Sequence, residues 1–327
     1  MSTGTNNSST TPKFFHHVIQ SPERDNAFHA VAAPSEYLKA KRKEFRVQCT
    51  QCQAILEKPQ TCKKCKSVWY CSKECQKTNW PTHKLTCQEV ERSSGVLKII
   101  QMFQANPLLM GYLEVGIIFE CGLLDNPRMG LDVPFMARVH IAIEPSDILD
   151  FVGLYLNNNT VGEKLKGMVQ VNAITPLHGP LPLVRLRKWR DFRAQCNVSE
   201  SSAKDPVGLI EFVGCTEGSD NSVISELYIA PIVLDMARKR EPFVTVNTAT
   251  GTQLKTPMST TSCLQFINMH IREDKKNQLC LRAEMTAQGK EVIRAAGRKE
   301  DALPAARILK EKMQRERIYA NLLQWTH

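Results

Sequence analysis

Seven cysteines and one histidine are crowded into residues 49–87. They form four pairs with short spacings, C-x2-C, C-x2-C, C-x3-C and H-x3-C, namely Cys49, Cys52, Cys62, Cys65, Cys71, Cys75, His83 and Cys87. Structural zinc is held by closed sets of four cysteines, or of three cysteines and one histidine. Eight such ligands therefore predict two tetrahedral zinc sites. The segment has little other apolar mass from which it could build a core.

The spacing of the ligands constrains the local backbone. A C-x2-C pair fits a tight knuckle that directs both thiolates at one metal. Cys71 and Cys75 are four residues apart, as are His83 and Cys87, and on a helix this separation places two side chains on one face. Pro81 suits the start of a helix, so we expect a short helical turn at each of these two pairs. Spacing alone leaves interleaved and sequential pairing of the ligands both open.

These residues resemble the MYND-type zinc finger. Besides the eight ligands, the resemblance rests on residues between them, namely Val68, Tyr70, Ser72, Gln76, Trp80 and Lys84. It implies interleaved ligation, with zinc 1 held by Cys49, Cys52, Cys71 and Cys75, and zinc 2 held by Cys62, Cys65, His83 and Cys87. A RING finger, the nearest rival, has its histidine in the middle of the ligand series and does not fit.

A finger of this kind is expected to act through its surface. With four protein ligands on each zinc, no coordination position is open for water or substrate. The resemblance implies binding of short proline-rich peptides, which are extended and dock on aromatic grooves. Gln76 and Trp80 match family positions that contact the peptide, Trp80 through its apolar face and Gln76 through a hydrogen bond to peptide backbone. The alternative for Trp80 is core filling beside the zinc-binding helix.

The charge and the remaining cysteines bear on partners and compartment. The formal net charge is +10, and many lysines lie near the finger. We favour neutralisation of the zinc thiolates over nucleic-acid binding, because no aromatic interleaving or recognition helix is apparent.

Five other cysteines, scattered in apolar runs, predict reduced thiols in an intracellular protein of the nucleus or cytoplasm. Residues 1–13 contain no apolar run of a secretory signal.

The rest of the chain predicts an α+β fold in which a larger helix-rich α/β-type domain follows the finger. The expected division is a disordered tail at 1–13, a basic and partly helical segment at 14–48, the finger at 49–87 and the larger domain at 91–327. Helices are predicted over Ser35–Phe45, Glu91–Gln104, Asn106–Leu124, Ser146–Leu156, Val223–Arg240, Thr260–Arg272, Lys290–Ala296 and Pro304–Trp325. Ser146 is expected to cap its helix, and Pro231 is expected to kink or break the helix that contains it. Strands are predicted over Ala137–Ile143, Met168–Val171, Leu209–Val213 and Phe243–Val246. Leu108–Leu124 contains two glutamates and is short for a membrane span, so no membrane partner is expected.

No catalytic residue can be assigned from the larger domain. It has no GxGxxG, P-loop or GxSxG run. A SET-type methyltransferase would need an Asn-His-x-Cys motif, which the run Asn268–His270 does not provide. We therefore predict a non-enzymatic adaptor whose finger recruits a proline-rich protein partner, in transcriptional regulation or protein turnover by resemblance. The alternatives are an enzyme with an unrecognised active site in the larger domain, and a basic nucleic-acid-binding protein. No pattern in the sequence indicates the oligomeric state.

Overall fold

The computed structural model describes residues 22–44, 47–52, 54–56, 58–64, 68–84, 87, 94–157, 162, 164–214, 222–246, 251–300, 302–320 and 322. The helices are α1 Pro22–Val31, α2 Ser35–Glu44, α3 Lys73–His83, α4 Ser94–Gln104, α5 Pro107–Glu120, α6 Ile148–Tyr155, α7 Leu183–Asn197, α8 Pro231–Lys239, α9 Thr260–Glu273, α10 Ala287–Gly297 and α11 Pro304–Arg315, followed by a 3-10 turn at Arg317–Tyr319. The strands are β1 Val47–Gln48, β2 Ile55–Leu56, β3 Gln60–Thr61, β4 Trp69–Tyr70, β5 Met136–Pro145, β6 Lys166–Pro176, β7 Val207–Gly214, β8 Ser222–Tyr228, β9 Phe243–Val246, β10 Gln253–Thr256 and β11 Arg282–Glu284. The predicted α+β class is confirmed.

Two small hairpins and one helix frame the cysteine-rich segment. Strand β1 pairs antiparallel with β2, and β3 pairs antiparallel with β4. Ser72 caps helix α3, because its hydroxyl accepts a hydrogen bond from the N–H of Cys75 at 3.3 Å. The helix then runs without interruption through Pro81 to His83. The prediction that Pro81 starts a second helical turn is therefore wrong, and one helix carries both Cys75 and His83.

The larger domain is built on a sheet with strand order β11-β6-β5-β7-β8. Neighbouring strands are antiparallel except β5 and β7, which are parallel. Apolar side chains alternate along β5, so that Ala137, Val139 and Ile141 are buried in one cluster together with residues of α5 and α9. A second apolar cluster joins α6, α10 and α11, and a third packs Trp189 of α7 against β7. The sheet is thus covered by helices that bring the ends of α9 and α11 close to the end of β5.

The helices before the finger pack on the larger domain. Ala32 and Leu38 are buried in the main apolar cluster. The Ser35 hydroxyl donates to the carbonyl of Gln278 at 2.6 Å, and the Gln278 side-chain amide donates to the carbonyl of Ala32 at 3.0 Å. The helical part of segment 14–48 therefore belongs structurally with the larger domain.

Several element predictions need correction. The predicted helix Val223–Arg240 is a strand, β8, followed by helix α8, because the β-branched residues of its first half pair with β7 at the edge of the sheet. Asp147, and not Ser146, caps α6 by accepting from the N–H of Leu149 at 2.8 Å. Helix α11 ends at Arg315, and Trp325 lies outside the described residues, as do residues 1–13. Helix α7 was not predicted, because its many basic residues interrupt the apolar periodicity that identifies a helix. In the structure, Trp189 is the buried apolar residue that packs α7 onto the domain.

Among the described residues, no single helix has the length and apolar composition needed to cross a membrane. Helices α4 and α5 satisfy that test only as a pair, and they are bent by 83° relative to each other. Most of the apolar side chains of α5, including Leu109, Leu113 and Ile117, are buried inside the domain.

Candidate metal centres and a cleft in the larger domain

The first cluster of metal-ligand side chains contains Cys49, Cys52, Cys71 and Cys75, whose sulfur atoms all lie within 4.8 Å of one another. Cys49 follows β1 and Cys52 ends the turn after it, while Cys71 follows β4 and Cys75 lies in the first turn of α3. The Cys71 and Cys75 sulfurs are 3.4 Å apart, and those of Cys52 and Cys71 are 3.6 Å apart. The backbone thus brings four thiol groups together around one point.

The second cluster contains Cys62, His83 and Cys87, all buried, with their ligand atoms within 4.8 Å of one another. Cys62 follows β3, and His83 is the last residue of α3. The Cys62 and Cys87 sulfurs are 3.8 Å apart. Cys65 lies outside the described residues. The first cluster combines the first cysteine pair with the third, and the second cluster joins Cys62 to the pair His83 and Cys87.

The donor chemistry of the two clusters fits two zinc ions, as the sequence predicted. Burial raises the pKa of Cys49, but hydrogen bonds from the backbone of Cys52, Cys71 and Gln51 outweigh burial and lower the pKa to about 6. The neighbouring sulfur of Cys71, followed by burial, raises the pKa of Cys75 to about 12. Four crowded sulfurs therefore resist full ionisation on their own, and a divalent cation between them removes that obstacle. Zinc would hold the two clusters closed and would have a structural role.

One face of α3 presents the residues predicted to bind peptide. Gln76 and Trp80 are four residues apart and lie on the same side of the helix. The Trp80 side chain is 43% exposed, and its ring meets that of His83 edge-on with centroids 5.8 Å apart. Tyr70, by contrast, is 0% exposed and donates its hydroxyl to the Asn79 amide oxygen at 2.8 Å. Tyr70 fills the small core of the finger, whereas Trp80 contacts one member of the second metal cluster, His83, and remains accessible.

The larger domain contains a cleft of about 980 Å³. Its walls come from α1, the start of α6, the β9–β10 hairpin, α9 and the 3-10 turn after α11. Among the titratable side chains that line it, Arg272, Glu316 and Tyr319 contact one another. The Arg272 Nη2 atom donates to the Glu316 carboxylate at 2.6 Å and to the Tyr319 hydroxyl oxygen at 3.0 Å. Sequence reasoning missed this site because its members are far apart in sequence and lie in ordinary helical patterns.

A buried polar network supports the cleft from behind. Lys312 donates to the Glu144 carboxylate at 2.6 Å, and the Tyr319 hydroxyl donates to the other oxygen of Glu144 at 2.8 Å. The Asn268 amide donates to Glu316 at 2.6 Å. Burial lowers the pKa of Lys312, and burial, with Glu144 next, raises that of Tyr319 well above its usual value. With two carboxylates and two cations, the network is internally neutral.

The other described histidines of the larger domain do not assemble into a site. His140, His178 and His270 lie on β5, in the loop after β6 and on α9, and they form no metal-ligand cluster among the described residues. Burial lowers the pKa of both His140 and His270. Asp235 pairs with Lys239 at 2.7 Å on the surface of α8.

The metal-ligand geometry and the fold together define a zinc-finger protein in which a larger α/β-type domain follows the finger. The sequence model of the MYND finger matches residues 49–87, which confirms the predicted resemblance. The model of the family described as "Domain of unknown function (DUF8205)" matches residues 92–319. Because that match covers more than half of the chain, this protein belongs to the DUF8205 family. No solved structure matches the chain.

Three curated relatives illustrate the range of similar proteins. "SET domain-containing protein 14" of Caenorhabditis elegans is 31% identical over 226 residues, covering 62% of this chain and 50% of that protein. "N-lysine methyltransferase SMYD2-B" of Danio rerio is 50% identical over 40 residues, covering 12% of this chain and 9% of that protein. "Hypoxia-inducible factor prolyl hydroxylase" of C. elegans is 37% identical over 76 residues, covering 23% and 10%. The chain spans half or less of the length of each of these relatives.

These relatives correct the expectation of a non-enzymatic protein. Two of them are named for enzymatic activities, N-lysine methyl transfer and prolyl hydroxylation, and a third is named for its SET domain. The earlier expectation rested on missing short motifs. Such motifs recognise only those active sites whose residues are contiguous in sequence, so their absence does not argue against an enzyme.

Proposed function

We propose that the MYND finger recruits a protein partner by binding a proline-rich peptide across Gln76 and Trp80. The observation that carries the proposal is the exposed Trp80 ring on a helix that both metal clusters hold in place. A proline-rich peptide is already extended, so it loses little conformational entropy on docking against a rigid aromatic surface. We propose transcriptional regulation or protein turnover, inside the cell, as the context of this recruitment.

The same proposal includes the full ligand assignment. Zinc 1 would be held by Cys49, Cys52, Cys71 and Cys75, and zinc 2 by Cys62, Cys65, His83 and Cys87. Support comes from the two observed clusters and from the donor types that zinc prefers. Cys65 is the natural fourth ligand of zinc 2 because it forms a C-x2-C pair with Cys62.

Peptide binding can be tested by fluorescence anisotropy with the full chain and a labelled Pro-x-Leu-x-Pro peptide. Trp80→Ala should weaken binding at least tenfold while two zinc ions per chain are retained, because aromatic anchors dominate such interfaces. Lys77→Ala is the matched control, since Lys77 is an exposed neighbour of Gln76 and is not part of the proposed surface. Unchanged affinity in Trp80→Ala would end the proposal.

A second candidate function is an enzymatic larger domain with its active site in the cleft. The convergence of Arg272, Glu316 and Tyr319 on a large cavity favours it, since active sites combine concavity with perturbed titratable groups. The names of the relatives favour methyl transfer. In that arrangement the finger would deliver a protein substrate to the domain.

Methyl transfer can be measured with a labelled methyl donor and lysine-containing protein substrates. The expected result is label on substrate with the wild-type chain and loss of label with Met269→Asp at the cleft rim. Ile232→Asp, an exposed position on α8 that does not line the cleft, should retain transfer. No transfer by the wild-type chain under any substrate tested would count against this reaction class and leave the peptide-binding proposal untouched.

A further inference from the structure

We infer that the cleft of the larger domain binds a small organic anion that has an apolar or aromatic body. The inference deepens the second functional candidate, because it names the ligand class of the same cleft. It is nevertheless read out by binding alone, so it can succeed or fail independently of any turnover and of the finger.

The size and lining of the cleft fit a small molecule. A volume of about 980 Å³ lies at the upper end of the range in which pockets enclose ligands of drug-like size. Phe151, Phe243 and Phe266 contribute aromatic surface to its walls. Concave apolar surface of this kind stabilises a bound apolar group by removing it from water.

The rim of the cleft is unusually apolar for surface that faces water. Val244, Leu254, Met269 and Ile318 are large apolar side chains, each at least 40% exposed, and all four line the opening. They come from three separate elements, the β9–β10 hairpin, α9 and the 3-10 turn, so local sequence does not explain why they cluster. Exposed apolar groups gathered around a concavity mark a binding site more often than scattered ones do.

Arg272 supplies the fixed positive group. Its Nη2 atom is held by Glu316 and Tyr319, and its side chain is 13% exposed. Among the described residues, no hydrogen bond uses its Nε or Nη1 atoms. A planar guanidinium with one corner anchored and two other donor atoms available is pre-organised for a carboxylate, sulfonate or phosphate group. Burial lowers the pKa of Arg272, but Tyr319 and Glu316 outweigh burial and raise it, so the cation persists at all relevant pH values.

Further groups favour an anion at this position. Lys275, Lys276 and Arg317 line the same cleft, and none of them has an ion pair among the described residues. The Ser146 hydroxyl is buried at the cleft wall and has no hydrogen-bond partner in the described part of the chain, although a buried hydroxyl normally has one. A ligand oxygen would satisfy it.

Acidic side chains also line the cleft, and they restrict where the anion can lie. Glu316 is neutralised by Arg272, and Asp147 is engaged as the cap of α6. Asp25 and Glu273 lie on the α1 and α9 walls. The anionic group is therefore expected at Arg272 and Ser146, with the apolar body of the ligand directed toward Met269 and the hairpin.

Two fluorescent probes that differ by one charged group test the inference. 1-Anilinonaphthalene-8-sulfonate carries an anionic sulfonate on an apolar aromatic body, and N-phenyl-1-naphthylamine has the same body without the charge. Titrated into the full chain, the sulfonate probe should bind with one-to-one stoichiometry and at least tenfold more tightly than the neutral probe. Dodecanoate, a carboxylate with an aliphatic body, should displace it.

Three variants assign the binding to the cleft. Met269→Asp should weaken both probes at least tenfold, and Arg272→Gln should weaken the sulfonate probe at least tenfold while leaving the neutral probe within twofold. Because Arg272→Gln disturbs a buried network, the exposed Arg317→Gln provides a second test and should weaken only the sulfonate probe, by two- to fivefold. Ile232→Asp is the control and should change neither. Equal affinity for both probes, or unchanged affinities in Met269→Asp, would overturn the inference.

Discussion

The finger and the larger domain bury very different side chains. In the finger, the buried residues are chiefly metal-ligand types, Cys49, Cys62, His83 and Cys87, accompanied by Leu56 and Tyr70. In the larger domain, the buried residues are chiefly aliphatic and aromatic, drawn from a five-stranded sheet and the helices on it, with a smaller number of buried polar groups such as Glu144 and Lys312. A core of ligands depends on an ion, whereas an apolar core depends on area removed from water. The two regions should therefore respond differently to the same perturbation.

Loss of zinc is expected to give the largest difference between the regions. Treatment with a strong chelator, or the substitution Cys75→Ser, should unfold the finger, because little apolar burial remains to hold it. Elemental analysis should find two zinc ions per wild-type chain and at most one in Cys75→Ser. Hydrogen exchange should show fast exchange throughout α3 and unchanged protection in β5, β6 and β7.

Cys196→Ser provides the control, since Cys196 lies on α7 and belongs to neither metal cluster. It should retain two zinc ions and full protection. If chelation also exposed the central sheet to exchange, the proposed division into a finger at 49–87 and a larger domain at 91–327 would be wrong.

Breaking the buried ion pair should give the largest effect within the larger domain. Lys312 is fully buried against Glu144, so Lys312→Met leaves a carboxylate buried without its cation. Removal of one partner of a buried pair typically costs about 3–5 kcal/mol. Chemical denaturation monitored by far-UV circular dichroism, which reports the helices and strands of the larger domain, would measure the loss.

The same substitution at Lys239 is the matched control. Lys239 pairs with Asp235 at 2.7 Å, about the distance of the Lys312 pair, but it lies on the surface. Lys239→Met should not change stability measurably. Adding Glu144→Gln to Lys312→Met should recover part of the loss. Equal effects at the two lysines would refute the claim that burial, and not pairing, sets the cost.

The contrast between the regions also explains what the sequence could predict. Metal ligands are recognisable in a sequence because their chemistry depends on residue type and local spacing. The 39 contiguous residues of the finger were therefore enough to propose all eight ligands and the short helical segment after Cys71. The edge strand β8 was mistaken for a helix because its pairing with β7 is a tertiary contact that local pattern does not encode. The cleft was invisible for the same reason, since Ser146, Arg272 and Tyr319 meet only after folding.

The stability of the larger domain is expected to depend on pH through one buried carboxylate, that of Glu114. Burial raises the pKa of Glu114, on α5 of the larger domain, to about 7 from 4.5. The folded state then binds more protons than the unfolded state between pH 4.5 and 7, so stability falls as pH rises through this window. The penalty above pH 7 is about 3 kcal/mol, from 1.36 kcal/mol per pKa unit.

Glu114→Gln should remove this penalty. The variant should match the wild type near pH 4, exceed its stability by a growing margin up to pH 7, and keep that margin at higher pH. Thermal unfolding followed across pH 4 to 8.5 would measure the difference, with zinc content checked at each pH so that finger unfolding is not mistaken for it. Parallel pH profiles for the two proteins would show that Glu114 ionises normally in the folded state.

The smallest expected effect is that of Trp80→Ala, and its comparison with Tyr70→Ala tests whether Tyr70 belongs to the core of the finger and Trp80 to its surface. Tyr70 is fully buried, so Tyr70→Ala should destabilise the finger by about 3–5 kcal/mol through cavity formation. Trp80 is 43% exposed, so Trp80→Ala should cost about 1 kcal/mol or less. Hydrogen-exchange free energies of the α3 amides in zinc-loaded protein would compare the two. A loss in Trp80→Ala equal to that in Tyr70→Ala would assign Trp80 to the core, and the loss of peptide binding in that variant would then reflect damage to the fold.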